Sequence, residues 1–245
     1  MKDLVLNKNY KKGMKAKKIR LIQEWLCLHG HNLVIDGDFG PATDRAVKDF
    51  QTKKHVRANG IVDKKTFQHM IMPMTNALEP LTGDGKPLGK MVVSYAQKHL
   101  KWHPREVGGQ NKGPWVRLYM KGYEGPAWPW CAGFACFILG QACKCTNSTH
   151  PVKSSFSCDY LAVDARNRGV FLKESQVADK TQITPGSLFL VRKTATDWIH
   201  TGIVEKAEDD FMYTIEGNTN DEGSREGYEV CKRIRGYKNM DFILM

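Results

Sequence analysis

Pro129-Trp130-Cys131-Ala132-Gly133-Phe134-Ala135-Cys136-Phe137 is the stretch on which the reading of the fold turns. A proline inside a helix removes a backbone donor and clashes with the preceding turn, so a helix built from this small, apolar run begins after Pro129. Cys131 then stands at or near a helix N-terminus, where unpaired N–H groups and the helix dipole favour thiolate over thiol. A free thiol titrates at about 8.5, and a helix N-terminus with a nearby histidine lowers that by several units. Cys131 is the candidate nucleophile. Cys136, five positions on, faces away and is read as core.

A nucleophilic thiol needs a base, and the base needs an orienting partner. His200 heads a strand-like run, His200-Thr201-Gly202-Ile203-Val204, and the next strand ends Thr214-Ile215-Glu216-Gly217-Asn218. Side chains two apart share one face of a strand, so Glu216 and Asn218 point the same way. If the two strands pair, either can meet the imidazole, leaving the other to bind substrate or polarise an oxyanion. The backbone N–H of Cys131 is the expected oxyanion donor. Trp128, Trp130 and Trp198 flank the thiol and the base. They read equally as walls that stack on sugar or peptide and as core.

The first 75 residues have a different texture. Ile19, Ile22, Trp25 and Leu26 recur at helical spacing, with Gly30 as a stop. Asp36-Gly37-Asp38-Phe39-Gly40-Pro41-Ala42-Thr43 is a turn followed by a proline at a first helical position, and Ala42, Ala46 and Phe50 mark a second helix. Asn59 through Thr66 repeats that turn 23 positions later, and Phe67, Met70 and Ile71 mark a third helix. Residues 73–90, with Pro73, Pro80, Gly83, Gly85, Pro87 and Gly89, read as a linker. Val92, Tyr95, Ala96 and Leu100 predict a further helix, residues 103–127 a long loop, and residues 158–168 a helix ending at Gly169. Strands are expected at Ser187–Arg192, His200–Lys206, Phe211–Asn218 and Tyr228–Arg235. Helices first and strands later make an α+β protein, divided as 1–75, a linker at 76–90, and 91–245.

The 245 residues carry a formal charge of +11, of which +8 falls in residues 1–75. That points to an anionic partner for the N-terminal third. Nucleic acid is not expected, because charge alone suggests it and no helix-turn-helix, zinc or RNA-binding aromatic motif accompanies it. Seven cysteines without a CxxC pair read as reduced, buried thiols. His29 and His31 near Cys27 lack further ligands, so no metal site and no cofactor are expected. Leu4-Val5-Leu6 is too short for a signal-peptide apolar core, and the apolar run at 131–143 is too short to span a bilayer. The expectation is synthesis in the cytoplasm, no membrane insertion and a monomer.

Two resemblances sharpen this reading. Ile22-Gln23-x-Trp25-Leu26, Asp36-Gly37-x-Phe39-Gly40-x-x-Thr43-x-x-Ala46-Val47-x-x-Phe50-Gln51 and Gly60-Ile61-Val62-x-x-x-Thr66, over roughly 15–72, resemble the peptidoglycan-binding domain of many cell-wall hydrolases. A binding role is expected for Asp36, Asp38 or the basic face, while Gly37, Phe39, Ala46 and Phe50 read as turn and core. Pro129-Trp130-Cys131-Ala132-Gly133-Phe134, Pro185-Gly186-Ser187-Leu188-Phe189, His200 to Val204 and Glu216-Gly217-Asn218-Thr219 resemble the CHAP family of cysteine amidases and peptidases, across about 91–240. The resemblance implies a papain-like fold, with Cys131 as nucleophile, His200 as base, and Glu216 and Asn218 completing the site. Trp130 stands where many members have Gln, and Ser187 where many have Asp. Residues 112–128 lack the Asp-rich loop that binds calcium in some members, so no metal is implied.

Together the resemblances imply an endolysin-like peptidoglycan hydrolase: an N-acetylmuramoyl-L-alanine amidase or a peptidoglycan endopeptidase that acts on the wall after release. The alternative is a non-catalytic cell-wall-binding protein whose second domain has lost activity.

Overall fold

A computed structural model describes residues 2–83, 85–220 and 227–245. Among them are seven α-helices and one six-stranded antiparallel sheet, an α+β architecture. The first three helices are α1 (Lys17–Leu28), α2 (Pro41–Lys53) and α3 (Lys64–Leu78). The repeat seen in the sequence has a physical basis in two buried glutamines. Gln23 of α1 donates Nε2 to Asp36 Oδ1 (2.8 Å), Asp38 O (3.0 Å) and Thr43 Oγ1 (3.2 Å), and its Oε1 accepts from Gly37 N (2.9 Å). Gln51 of α2 repeats this on Asn59 Oδ1 (3.2 Å), Ile61 O (2.9 Å), Thr66 Oγ1 (3.1 Å) and Gly60 N (2.9 Å). Each amide therefore satisfies the turn that launches the next helix. Asp36 is employed in this turn, accepting also from Asp38 N (2.8 Å), and Asp38 pairs with Lys15 at 2.8 Å.

The linker reading of residues 73–90 is corrected at its start. Pro73 lies inside α3, which runs on to Leu78, so the linker punctuation does not begin there. The segment after α3 is also packed down. Leu81 N bonds the Tyr95 hydroxyl (3.0 Å), and the Cys145 thiol bonds Leu81 O (2.8 Å).

Beyond it come α4 (Leu88–Leu100), α5 (Pro114–Tyr119), α6 (Cys131–Thr146) and α7 (Cys158–Asn167). The glycine-rich stretch read as loop thus contains α5, started by Pro114 at its first position. Trp115 of α5 meets Trp25 of α1 edge-on, with ring centroids 6.5 Å apart. Arg117 reaches Asp3 (2.6 Å), Glu24 (2.6 Å) and Glu124 (2.7 Å). The first three helices are therefore joined to the rest through a shared core.

The strands are β1 (Phe171–Leu172), β2 (Leu188–Thr194), β3 (Asp197–Ala207), β4 (Met212–Thr219), β5 (Glu229–Arg235) and β6 (Met240–Ile243), in the order β1-β6-β2-β3-β4-β5. Leu188, Leu190, Ile203, Ile215 and Ile243 join the helical core, while Phe189, Val204, Met212 and Phe242 form a second cluster on the other face. That is the period-two alternation of a sheet buried on both sides. α6 is buried along most of its length and lies against β3 and β4. Its approach to β4 requires Gly217, where a Cβ would stand 2.7 Å from Phe134 Cβ. Among the described residues no helix is long and apolar enough to cross a membrane.

Gln51→Ala should leave the Gly60 N–H and the Thr66 hydroxyl without their buried partner. The expected loss is about 1–3 kcal/mol of unfolding free energy, measured by chemical denaturation. An unchanged midpoint would contradict the bracing role.

Candidate active site

Cys131 is the first residue of α6, and Trp130 is its N-cap. The first intrahelical bond runs from Phe134 N to Trp130 O (2.9 Å), so the N–H groups before Phe134 have no helical partner and the positive end of the dipole lies at the sulfur. The entry into the helix is fixed from the sheet. Asn218 adopts a left-handed backbone (φ 58°), which asparagine tolerates, and its Oδ1 accepts the backbone N–H of Trp130 at 2.8 Å. A register shift lies between Glu216 and Thr219 in the pairing of β4 with β5, a local kink of the kind that re-aims side chains beside sites.

The imidazole of His200, on β3, stands between Cys131 and Glu216. Its Nε2 bonds Glu216 Oε2 at 2.8 Å, and its ring acts on the Cys131 thiol, favouring the thiolate. Of the two candidates for orienting the base, Glu216 holds it and Asn218 anchors the helix start. Gly202 makes room for the pair, because a Cβ there would meet Glu216 Cγ at 2.7 Å and the Phe189 ring at 2.8 Å. Glu216 has no exposed surface, and a lone buried carboxylate would be costly. Arg235 of β5 neutralises it with bonds from Nε to Oε1 (2.5 Å) and from Nη2 to Oε2 (2.6 Å), and the Thr214 hydroxyl donates to Oε1 (2.5 Å).

The charges follow from these partners. Burial disfavours the Glu216 carboxylate, but Arg235 and then His200 outweigh it and hold its pKa down at about 2. Burial likewise works against the His200 imidazolium, but Cys131 and Glu216 outweigh it and raise its pKa to about 9. The Cys131 thiol is held well below its ordinary value. The Cys158 thiol is the largest contributor, burial opposes it, and His200 adds to it together with the Thr201 backbone. These shifts favour a thiolate–imidazolium pair backed by a carboxylate and a guanidinium. Such a pair can add sulfur to a carbonyl carbon and return a proton to a leaving group.

The tryptophans separate. Trp130 is fully buried, stacks on Tyr119 (5.6 Å, 12°) and donates Nε1 to Glu106 Oε1 at 2.8 Å. Trp198 is 4 % exposed and donates Nε1 to Asp241 at 2.9 Å. Both are core, and their burial removes the stacking role for them. Trp128 stays half-buried and stacks on the exposed Tyr123 ring (4.4 Å, 21°), with Phe156 edge-on to it. Asp36 and Asp38 lie in the turn between α1 and α2 and are not brought to the thiol. Arg235 and Cys158 escaped the sequence reading. The first carries a signal in hindsight, as a basic residue on a strand that must cover the one holding Glu216. Cys158 follows Ser157, whose hydroxyl accepts Tyr160 N (3.4 Å) as a helix cap.

Residues 15–70 match the family described as "Putative peptidoglycan binding domain". The match supports a peptidoglycan-binding domain in the helical N-terminal unit and peptidoglycan as what that unit associates with. No curated protein matches the chain.

His200 should titrate near 9, well above its ordinary 6.5, in an NMR titration of ring-labelled protein. Its contribution to stability should be complete below 6.5 and disappear as pH rises through about 9. Cys131→Ala removes one partner and should lower the His200 midpoint. A midpoint unmoved by this substitution would refute the pairing.

Proposed function

We propose that the chain is a peptidoglycan hydrolase that cleaves an amide bond by cysteine nucleophilic catalysis, with residues 91–245 forming a papain-like domain of the CHAP type. The observation that carries this reading is the chain of contacts Cys131–His200–Glu216, in which a helix N-terminus and an imidazolium stabilise one buried thiolate. The N-terminal domain supplies the substrate class, a cross-linked anionic glycopeptide, and its excess of basic residues favours that polymer until salt screens it.

On this reading the Cys131 thiolate attacks the amide carbonyl, and the carbonyl π electrons move to oxygen. The backbone N–H of Cys131 lies at the place of an oxyanion donor. Collapse of the tetrahedral species breaks the C–N bond as the His200 imidazolium protonates the leaving amine, giving a thioester. Neutral His200 then takes a proton from water and keeps it, hydroxide adds to the thioester carbon, and the thiolate leaves beside the imidazolium while the acid product loses its own proton to solvent. Glu216 orients the ring and stabilises its charge throughout. The bond is either the link between the sugar lactyl group and the first amino acid or a peptide bond in the stem or cross-bridge. A wall-binding unit joined to such a domain resembles phage lysis enzymes, and an endolysin-like role is part of the proposal. The half-exposed Trp128–Tyr123 stack, three residues before the helix start, supplies an aromatic surface for a sugar face or a stem peptide.

Turbidity loss of purified peptidoglycan is the test. Cys131→Ala and His200→Ala should each lower the rate by at least about a thousandfold, and Glu216→Gln by about ten- to a hundredfold, with pelleting on the wall retained. Full activity in either of the first two would sink the nucleophile assignment. Binding without hydrolysis in the unsubstituted protein would favour the non-catalytic wall binder. Trp128→Ala should raise the apparent KM with little change in kcat.

A further inference from the structure

A cavity of about 340 Å³ opens on α6 beside the Trp128–Tyr123 stack, within the roughly 300–1,000 Å³ of small-ligand sites. Phe137, Gly140 and Lys144 line it from α6, at the i, i+3 and i+7 spacing that puts them on one stripe. Lys121 lines it from the turn after α5, and His150 and Phe156 from the segment between α6 and α7. Phe156 belongs to stack and cavity alike. Its ring is edge-on to Trp128 (6.4 Å, 89°) and to Tyr123 (6.4 Å, 72°). Gly140 keeps the space clear. Glycine is a poor helix former, and a Cβ there would meet only His150 Cε1, at an ordinary 3.6 Å. Packing therefore does not require glycine at 140, as it does at 202 and 217. Lys121 is held where glycine is usual, in a left-handed backbone (φ 54°) past the end of α5. Its ammonium lies 6.0 Å from the centre of the Phe156 ring. The lining carries three basic side chains, Lys121, Lys144 and His150, and among the described residues no Asp or Glu.

We propose that this cavity is a subsite for the stem peptide of peptidoglycan, with its small side chains against Phe137 and Gly140 and its carboxylates against Lys121 and Lys144. The inference rests on the hydrolase reading given above for the identity of the ligand, and it deepens that reading by naming where the peptide lies. The chemistry of the cavity selects this ligand. An apolar stripe ending in cations accepts a molecule that is apolar in part and anionic in part. A stem peptide combines short aliphatic side chains with free carboxylates. Lysine suits the role, since an ammonium on a flexible stem meets an oxyanion from many directions, whereas a guanidinium fork prefers one. Enclosure by the Phe156 ring and α6 lowers the local dielectric and strengthens the attraction. Contact of Phe156 with Trp128, three residues before Cys131, joins the cavity to the helix start. A peptide seated there is held on the element that carries the nucleophile, so its binding energy bears on how the scissile amide approaches the sulfur.

The test uses the full chain carrying Cys131→Ala, so that ligand is not consumed, and follows binding at the Phe137 amide by NMR. That reporter excludes capture by the N-terminal domain. The probes are a disaccharide–tetrapeptide released from purified wall, the same compound with its carboxylates amidated, and inorganic phosphate. The carboxylate form should bind about tenfold more tightly than the amidated form. Lys121→Glu combined with Lys144→Glu should abolish that difference. Gly140→Leu should fill the cavity and weaken both forms about tenfold, with an unchanged melting temperature. Equal affinity of the two forms, a double variant that still tells them apart, or phosphate as tight as the carboxylate form would each overturn the inference. Should Gly140→Leu not fold, the comparison of the two forms on the unsubstituted cavity decides it. With Cys131 intact, the double charge reversal should raise the apparent KM for wall about tenfold and leave kcat within about twofold. Wild-type wall hydrolysis without any preference between the forms removes the subsite and leaves the hydrolase reading standing. A preference without any wild-type hydrolysis removes the hydrolase reading and leaves a peptide-binding site.

Discussion

The carboxylate of Glu216 is the constraint from which the rest of the site follows. It is wholly buried and ionised, a state that survives only when the charge is paired and its lone pairs are filled. Arg235 fills that need from β5, Thr214 from within β4, and His200 from β3. Three strands must therefore keep their register for one carboxylate to be tolerable. The sequence of charges that results alternates guanidinium, carboxylate, imidazolium and thiolate. Removing any inner member leaves a buried neighbour without its counter-charge.

The same economy of space governs the approach of helix to sheet. α6 comes close enough to β4 for Asn218 to cap its start only because residue 217 has no side chain to strike Phe134. Glu216 reaches His200 only because residue 202 has none to strike Glu216. The succession Glu216-Gly217-Asn218 thus reads as one device: a carboxylate toward the base, a gap toward the helix, and an amide toward the helix start. The left-handed backbone at Asn218 joins the last two.

Much of this was legible in the sequence, for identifiable reasons. Pro129 marked the helix start at Cys131, because proline chemistry is local. The four strand runs and the turn repeat were legible because alternation and turn residues are local as well. What was not legible depended on long-range partners. Arg235 becomes meaningful only once β5 is registered against β4. The short strands β1 and β6 carry too few residues to show a period, and they exist because they pair with each other and β6 with β2. α5 hid in a stretch dense in glycine and proline, and is stabilised by burying Trp115 and Tyr119 rather than by its own propensity. Pro73 misled because tertiary packing of Met70, Met74 and Ala77 carries α3 through the lost hydrogen bond. Trp130 and Trp198 were ambiguous because an indole N–H suits both a ligand and a buried acceptor, and here Glu106 and Asp241 are the acceptors.

The way the halves join bears on how binding and chemistry cooperate. A flexible tether gives the second event an effective concentration that depends on its reach. Here Arg117 gathers Asp3 and Glu24 from the N-terminal side, Trp25 meets Trp115, and Arg105 bonds Leu28 O at 2.7 Å. The segment between α3 and α4 is held as well. A docked binding unit offers less reach than a tethered one but loses less orientational entropy when the polymer engages both surfaces. On the proposed reading, a glycan strand captured by the first three helices is presented to Cys131 in a restricted set of orientations. The choice of bond then rests on the angle between the two surfaces as well as on the surroundings of the thiol.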